Sequence, residues 1–315
     1  MKPPLACSFR QLALFLLAAA CGYGAPPKVG VLLKSRSSFW NVVEKGALEA
    51  GAALGAEVVV KAPLSESDIG VQIQLLNALV RLDVQAIVIS PDHKDALAAP
   101  VAAAAAQGIK IVVIDSELAG DAAHVFIGTD QRKAGEAAGA LLAKLLRDGD
   151  DVVLLKHNQT GGATEQREIG AAAKLRSGLP HSAIHGDIYA GSEPGTELQK
   201  AELVFSKYPR AKGVLSSGTP GTMAMLKVLA TRGLAGKIPF IGFGYNLDPE
   251  VAAALESGAL QAWIAQQPKD VGYQGVETAV ALARGETRPP AIYVDFIVIT
   301  KDNLKEPRVQ ALLHL

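Results

Sequence analysis

The stretch KVGVLLKSRSSFW, residues 28–40, decides the class of fold. It begins with a short apolar run, Val29–Leu33, that lacks the polar–apolar alternation of a half-exposed strand. Such a run is typical of a strand buried on both faces of a parallel sheet. A polar loop follows and ends in Phe39 and Trp40, after which the pattern predicts a helix. The stretch therefore predicts a strand–loop–helix unit with two aromatic residues at the turn.

The same unit recurs along the chain. Further short apolar runs lie at Val58–Lys61, Ala86–Ile89, Ile111–Ile114, Val152–Leu155, Gly213–Leu215, Phe240–Gly242 and Ala262–Ala265. Between them, apolar residues at three-to-four spacing predict amphipathic helices over Asp68–Leu82 and Gln131–Leu146. Repeated strand–helix units require right-handed crossovers, which predicts an α/β fold with doubly wound parallel sheets.

The length of the chain favours two such lobes rather than one. A single hydrophobic core stops growing near about 250–300 residues, and this chain has 315. The tetrapeptide at 31–34 recurs at 153–156, each time before a polar loop and a helix. We expect one lobe to comprise residues 27–128 plus 267–294 and the other 129–266 plus 295–315, joined by a three-stranded hinge.

The first 26 residues are expected to be a secretory signal peptide rather than part of the fold. Lys2 and Arg10 precede the apolar run Leu12–Leu17, and small residues follow it. The run is too short to cross a bilayer, which needs about 20 apolar residues. The alternative is a buried N-terminal helix.

Both cysteines, Cys7 and Cys21, lie in this leader, so no disulfide is expected in the mature domain. Cys21 follows three alanines and resembles a bacterial lipobox, in which the thiol is acylated and becomes the new N-terminus. The match is imperfect, because Ala18 stands where the pattern prefers leucine. The alternative is cleavage without lipidation near Ala20 or Ala25. With lipidation, residues 22–27 would be a flexible tether.

Composition and motifs argue against several classes of protein. The formal net charge is +0, so no long-range field attracts nucleic acid or an anionic membrane. Of the six histidines only His181 and His185 lie close together in sequence, and neither a metal site nor a cofactor is expected. The sequence has no Walker A, Rossmann, nucleophile-elbow or zinc-protease motif. An enzyme is therefore not expected.

Polar and aromatic residues occupy the loops after the predicted strands. In open α/β sheets ligands bind beyond the carboxyl ends of the strands, so two facing sheets would enclose a cleft lined by these loops. Aromatic rings can pack on the C–H faces of a sugar, and a carboxylate or guanidinium can form charge-assisted hydrogen bonds with its hydroxyls. The candidate ligand-binding residues are Ser37, Phe39, Trp40, Ser90, Asp115, Ser116, Arg167, Gly218, Tyr245, Asn246 and Gln266.

Structural roles are the alternatives at the strongest of these positions. Phe39 or Trp40 could fill the core beneath the first helix. Asp115 could only cap a turn. Arg167 could pair on a helix surface with Glu165 or Glu168.

Two other features of the loops leave alternatives open. Lys34 and Asp92 are expected to be solvated loop charges rather than ligand-binding residues. Residues 160–163, TGGA, lie between a predicted strand and a helix and could hold a phosphate on main-chain N–H groups. That loop lacks a supporting lysine at the start of the helix, so a neutral sugar is favoured over a phosphorylated ligand.

In their order and spacing, the motifs resemble those of the type I periplasmic sugar-binding proteins, in the ribose-binding branch. The resemblance covers nearly the whole mature chain. It implies that Asp115 is the buried sugar-binding aspartate of the first lobe and that Arg167 reaches sugar hydroxyls from the second. The matching segments are Ser37–Trp40 with Gly46-Ala47, Ile89–Pro91, Ile114-Asp115, Gly128–Asp130, Arg167–Gly170, Ile264–Gln266 and Gly275–Ala279.

The chain departs from this family at three places. Residues 218–222, GTPGT, precede a Met-Ala helix where the family has Asn-Asp, and Gly244 stands where the family has Asp. Ser116 occupies the position at which ribose binders carry Arg. Each departure removes a charged or amide group from the site. The ligand is therefore not expected to be ribose in its usual pose.

The resemblance implies a periplasmic solute-binding protein that closes two lobes around a small sugar and performs no chemistry on it. Its partners would be the permease subunits of an ABC importer, and we expect a monomer, in the periplasm or anchored to a membrane through Cys21. The alternatives are a sugar-sensing partner of a chemoreceptor or histidine kinase, and a binder of a phosphorylated or other non-sugar polar ligand. The ligand domain of a DNA-binding repressor shares the fold, but it needs a helix-turn-helix where the leader lies.

Overall fold

A computed structural model describes residues 25–66, 68–158, 162–191 and 195–314. The β-strands are β1 Lys28–Leu32, β2 Glu57–Lys61, β3 Ala86–Ile89, β4 Lys110–Ile114, β5 Val125–Thr129, β6 Asp151–Lys156, β7 Ile184–Tyr189, β8 Ala211–Ser216, β9 Phe240–Gly244, β10 Ala262–Ala265, β11 Ala291–Val294 and β12 Ile297–Ile299. The helices are α1 Ser38–Leu54, α2 Ile69–Val80, α3 Ala98–Ala105, α4 Gln131–Lys144, α5 Gly162–Gly178, α6 Thr196–Lys207, α7 Thr219–Thr231, α8 Pro249–Ser257, α9 Pro268–Ala283 and α10 Pro307–Gln310, followed by a 3₁₀ turn at Ala311–His314.

The strands form two six-stranded sheets. The first has the order β11-β5-β4-β3-β1-β2, and the second has the order β12-β10-β9-β8-β6-β7. Every neighbouring pair is parallel except β10 and β12, which are antiparallel. The two sheets repeat the same strand order, and helices cover both faces of each. The prediction of two doubly wound parallel-sheet lobes is confirmed.

The chain passes from one sheet to the other three times: after β5, after β10, and between β11 and β12. The exact lobe boundaries given above stay predictions. Because the carboxyl ends of parallel strands lie at the same edge of a sheet, the loops after β1, β3 and β4 meet at one edge of the first lobe. Lys28, the first residue of β1, lies at the opposite edge.

Strands at the edges of the sheets, such as β2 and β7, are less buried than strands inside them, such as β3 and β5. β3 is buried at all four residues, as its continuous apolar run predicts. β7, with the sequence IHGDIY, lies at the edge of the second sheet and has only one fully buried residue. Its mixture of polar and apolar residues gives no strand signal, and β12 has only three residues.

One helix pair in each lobe packs at close glycine contacts. In the first lobe, a Cβ on Gly46 of α1 would lie 1.9 Å from the main-chain oxygen of Lys269 on α9. In the second lobe, a Cβ on Gly135 of α4 would lie 1.9 Å from the main-chain oxygen of Arg167 on α5. Helices α9 and α4 each follow a passage between the sheets, so these contacts fix the helix next to each passage against its own lobe. The second contact also fixes the backbone of Arg167.

Some of the predicted segments lie outside the described residues. These are residues 1–24 of the predicted signal peptide, with both cysteines, and residues 160 and 161 of the TGGA loop. Among the helices that are described, none is both long enough and apolar enough to cross a membrane.

Candidate ligand-binding cleft

A cavity of about 470 Å³ lies between the loops that follow strands of the two sheets. Its size suits a small organic ligand. The first lobe contributes residues from the loops after β1, β2 and β4: Lys34, Ser35, Arg36, Ser37, Ser38, Phe39, Trp40, Leu64, Ser65, Glu66 and Asp115. The second lobe contributes His157, Asn158, Ala163, Thr164, Arg167, Gly218, Thr219, Pro220, Phe243, Gly244 and Tyr245, and Gln266 lies at the second passage between the sheets.

Most of the predicted site residues line this one cavity. They are Ser37, Phe39, Trp40, Asp115, Arg167, Gly218, Tyr245 and Gln266. They come from segments up to 229 residues apart in sequence, and the strand order of the two sheets brings them together. Their contact with a ligand stays a prediction.

Ser90, Ser116 and Asn246 do not line the cavity. Ser90 is fully buried, and its hydroxyl has no hydrogen-bond partner. The hydroxyl of Ser116 accepts a hydrogen bond from the Lys34 ammonium at 2.5 Å. The carbonyl of Asn246 accepts one from the indole N–H of Trp263 at 2.9 Å. These neighbours lie within the protein, and contact of the three residues with a ligand also stays a prediction.

The Asp115 carboxylate lies at the end of β4 beside a buried cation. Lys34 Nζ is 3.4 Å from Asp115 Oδ2 and 5.7 Å from the centre of the Trp40 ring. The Ser116 hydroxyl also donates to Asp115 Oδ2, at 3.1 Å. Asp115 has a φ of 62°, a left-handed conformation that Asp adopts more readily than most residues. The aspartate therefore forms a charged pair within the cavity and does more than cap a turn.

Two residues expected to be solvated charges are buried. Lys34 is only 6% exposed, because the loops after β1 and β4 enclose it. Asp92 is 9% exposed, and neither of its carboxylate oxygens has a hydrogen-bond partner. Burial raises the pKa of Asp92 to about 8, while the positive charge of Lys34 opposes the rise. The local sequence gives no sign of this burial, because it arises from packing between separate loops.

Arg167 lies inside the cavity and not on a helix surface. Its Nε and Nη2 groups donate to Gln131 Oε1 at 3.1 and 2.7 Å, and Nη1 donates to the carbonyl of Ser217. The guanidinium also lies over the Phe243 ring, 4.4 Å from its centre. Burial lowers the pKa of Arg167 to about 10, and the negative charges of Asp115 and Glu168 oppose this. The group therefore stays charged at neutral pH.

Glu168, the residue after Arg167, forms hydrogen bonds with two loops of the second lobe. Glu168 Oε1 accepts hydrogen bonds from the Ser217 hydroxyl at 2.7 Å and from the main-chain N–H of His157 at 3.2 Å. Burial raises the pKa of Glu168. Glu168 thus ties together the loops after β6 and β8, both of which line the cavity.

Aromatic rings from both lobes meet at the cavity. Phe39 packs edge-to-face on Trp40, with ring centres 5.0 Å apart, and on Tyr245 of the second lobe, with ring centres 5.4 Å apart. Trp40 is 2% exposed and belongs to the core of the first lobe, and its indole N–H donates to Glu66 Oε1 at 2.8 Å. Trp40 therefore fills the core and lines the cavity at once, so the two alternatives for this residue are compatible.

Sequence reasoning missed Glu66 and His157, which also line the cavity. Glu66 follows β2, whose carboxyl end lies at the same sheet edge as those of β1 and β4. The position of Glu66 after a predicted strand therefore indicates a candidate site residue. Burial lowers the pKa of His157, and its Nδ1 is buried without a hydrogen-bond partner. In the part of the chain that is described, no group of three or more His, Cys, Asp or Glu side chains could hold a metal ion.

Comparison with known proteins agrees with this geometry. A family described as "Periplasmic binding protein domain" matches residues 29–287. The D-allose-binding periplasmic protein of Escherichia coli is 26% identical over 297 residues, which cover 88% of this chain and 93% of that protein. The ribose import binding protein of Bacillus subtilis is 26% identical over 252 residues, which cover 79% of this chain and 78% of that protein.

Solved structures are similar over almost their whole length. A carbohydrate transporter solute binding protein from Agrobacterium radiobacter, in complex with D-arabinose, superposes with a TM-score of 0.85 at 29% identity, covering 92% of this chain and 99% of that one. A solute binding protein of an ABC transporter from Agrobacterium vitis, with bound D-fucose, has a TM-score of 0.82 at 27% identity, covering 91% and 100%.

Proposed function

The chain belongs to the family of periplasmic binding protein domains, and from that premise we propose that it captures a small neutral carbohydrate between its two lobes for an ABC importer. One observation carries the proposal. A half-buried carboxylate of the first lobe, Asp115, and a buried guanidinium of the second, Arg167, line the same cavity as the aromatic rings of Phe39 and Trp40.

This set of groups matches the chemistry of a sugar. The aromatic rings offer apolar surface to the C–H faces of the ring. Asp115 accepts hydrogen bonds from hydroxyls. Arg167 has five N–H donors, of which three are engaged by Gln131 and Ser217, so two remain for the ligand. Ligand hydroxyls between Asp115 and Arg167 would pair both charges in a closed cleft, where an unpaired charge is costly.

The sugars named for similar proteins support a monosaccharide as the ligand. D-allose, D-arabinose and D-fucose are the sugars named for three of the similar proteins. Two of these proteins are described as transporter solute binding proteins, which supports an importer as the partner. The alternative partner, a chemoreceptor or histidine kinase, would use the same cleft and a different docking face.

The proposal includes location and chemistry. The protein works in the periplasm as a monomer, either free or held to a membrane through acylated Cys21. It binds its ligand without converting it, in keeping with the family of binding proteins to which the chain belongs.

The proposal is tested by thermal shift of the mature protein with a library of pentoses, hexoses, deoxy-sugars and polyols, each confirmed by calorimetry. We expect at least one neutral carbohydrate to bind with a Kd at or below about 1 μM, about −8 kcal/mol, and to raise the unfolding midpoint by mass action. Stabilisation by phosphate esters, nucleotides or amino acids, and by no neutral carbohydrate, would contradict it.

A further inference from the structure

Two connected groups of polar side chains lie at the cleft. Lys34 and Asp115 lie 3.4 Å apart in the first lobe. Arg167 and Gln266 are joined through Gln131, which accepts hydrogen bonds from Arg167 and donates one to Gln266 at 2.7 Å. These groups supply charged and amide partners for ligand hydroxyls.

The segments at the carboxyl ends of β8 and β9 face the same cavity and have a different chemistry. Their lining residues are Gly218, Thr219, Pro220, Phe243, Gly244 and Tyr245, none of which carries a charge or an amide side chain. The Thr219 hydroxyl donates to the carbonyl of Phe243 at 3.4 Å. The carbonyl of Gly218 accepts hydrogen bonds from Thr222, and that of Gly244 accepts one from the main-chain N–H of Gln266. The Thr219 side chain and these two carbonyls are thus engaged within the protein.

Position 244 cannot carry a side chain in this packing. A Cβ on Gly244 would lie 1.9 Å from the Trp263 ring, which is fully buried in the second lobe. Trp263 is held in place, because its indole N–H donates to the carbonyl of Asn246 at 2.9 Å. The space that a polar side chain at position 244 would need is therefore filled by the indole.

Tyr245 completes this apolar region from the second lobe. It is 6% exposed, and its ring meets Phe39 of the first lobe edge-to-face at 5.4 Å between centres. Ser38, which also lines the cavity, lies beside the Tyr245 hydroxyl. We call Phe39, Pro220, Gly244 and Tyr245 the apolar corner; it spans both lobes, and the Tyr245 hydroxyl is its single polar side-chain group.

We infer that the ligand is a monosaccharide with one edge that carries no hydroxyl, namely a 6-deoxyhexose or a pentose in its pyranose form, with that edge against the apolar corner. The inference rests on the proposed function. A methyl group or a plain ring CH₂ would be buried there at a gain. The hydroxymethyl group of an ordinary hexose would bring a hydroxyl to a region whose single polar side-chain group is the Tyr245 hydroxyl, and an apolar pocket rejects an added hydroxyl by up to about a hundredfold.

The test is calorimetric titration of the intact mature protein with sugars that differ by a single hydroxyl: D-fucose with D-galactose, L-fucose with L-galactose, and L-rhamnose with L-mannose. We expect the deoxy sugar to bind at least tenfold more tightly than its parent hexose in every pair in which either sugar binds. A pentopyranose is expected to match or exceed the hexose with the same arrangement of ring hydroxyls.

A substitution of Tyr245 tests whether the preference for the deoxy sugar arises at the apolar corner. Tyr245→Asn supplies an amide for a hydroxymethyl group and removes the ring, so the ratio of the two affinities should fall at least threefold. Tyr293→Asn makes the same change at an exposed tyrosine outside this cavity and should keep the wild-type ratio.

The outcomes separate this inference from the proposed function. A parent hexose that binds within tenfold of its deoxy form, or more tightly, overturns the inference and leaves carbohydrate binding in place. Binding of no neutral monosaccharide overturns both. An unchanged ratio in folded Tyr245→Asn overturns the placement of the ligand edge at the corner.

Discussion

The side-chain amide of Gln131 donates to the side-chain carbonyl of Gln266 at 2.7 Å. Gln131 is the first residue of α4, just after the first passage between the sheets, and Gln266 directly follows β10 at the second. Gln131 also accepts two hydrogen bonds from Arg167. One amide therefore connects two segments of the hinge to the buried cation of the cleft.

Gln131→Leu should weaken binding of the carbohydrate about 10- to 100-fold, or about 1–3 kcal/mol, because Arg167 loses an acceptor and becomes less well positioned. Calorimetry measures the change. Gln107→Leu, at an exposed position, is the matched control and should bind as the wild type does. Unchanged affinity in Gln131→Leu would show that Arg167 is positioned by other contacts.

Arg167→Ala and Asp115→Ala should each weaken binding by about 2–4 kcal/mol, because the remaining charge is left without its partner in a closed cleft. Circular dichroism should stay native in both variants. Glu165→Ala, exposed on the same helix as Arg167, is expected to leave the affinity unchanged. Wild-type affinity in either cleft variant would remove that residue from the site.

Asp92 should make stability depend on pH. Burial raises its pKa from 3.8 to about 8, so the folded state holds the proton more tightly than the unfolded chain does. The contribution of Asp92 to the free energy of unfolding is therefore most favourable below about pH 4, and it is lost as the pH rises towards about 8. Asp92→Asn stays neutral throughout. Urea unfolding should show equal stability at pH 4 and an advantage of about 1–3 kcal/mol for the variant at pH 9.

The control for this experiment is Asp95→Asn, an exposed aspartate three residues along the chain, which should follow the wild type at both pH values. Equal stability of Asp92→Asn and wild type at pH 9 would mean that the Asp92 carboxylate finds partners in solution, Lys34 first among them.

Closure of the lobes should be visible in solution. A ligand that contacts both lobes only in the closed state shifts the equilibrium by its difference in affinity for the two states. A change from about 99% open to 99% closed needs about 5.5 kcal/mol. We expect the radius of gyration to fall in small-angle scattering and the fluorescence of Trp40 to change on addition of a saturating sugar. A tight ligand that moves neither signal would indicate a rigid pocket.

Acylation of Cys21 is checked by Cys21→Ser. If the thiol carries the lipid, the wild-type protein should partition into detergent and the variant should appear in the aqueous phase or remain unprocessed. Equal partitioning of the two proteins would assign Cys21 to a discarded signal peptide.

The sequence predicted best those features that depend on the residues of a single segment. The boundaries of β3, Ala86–Ile89, match the apolar run, since a strand buried on both faces needs only apolar residues. β7 was missed because an edge strand mixes polar and apolar residues. Phe39 and Asp115 lie in the cavity because each follows a strand, at the sheet edge where ligands bind.

Contacts between distant segments could not be predicted from local patterns. The burial of Lys34 depends on Ser116, which is 82 residues away, and the acceptors of Arg167 lie in α4 and in the loop after β8. The space beside Gly244 is filled by Trp263, which lies on the neighbouring strand β10. Such relationships follow from strand order and packing, and no spacing in the sequence encodes them.

Strand β1 begins at Lys28, at the sheet edge away from the cleft. If Cys21 carries a lipid, the six residues 22–27 span at most about 20 Å. The cleft would then open away from the point of attachment, towards the solute in the periplasm. A protein held this way would diffuse laterally in two dimensions and would meet a membrane-bound partner at a local concentration set by membrane area rather than by periplasmic volume.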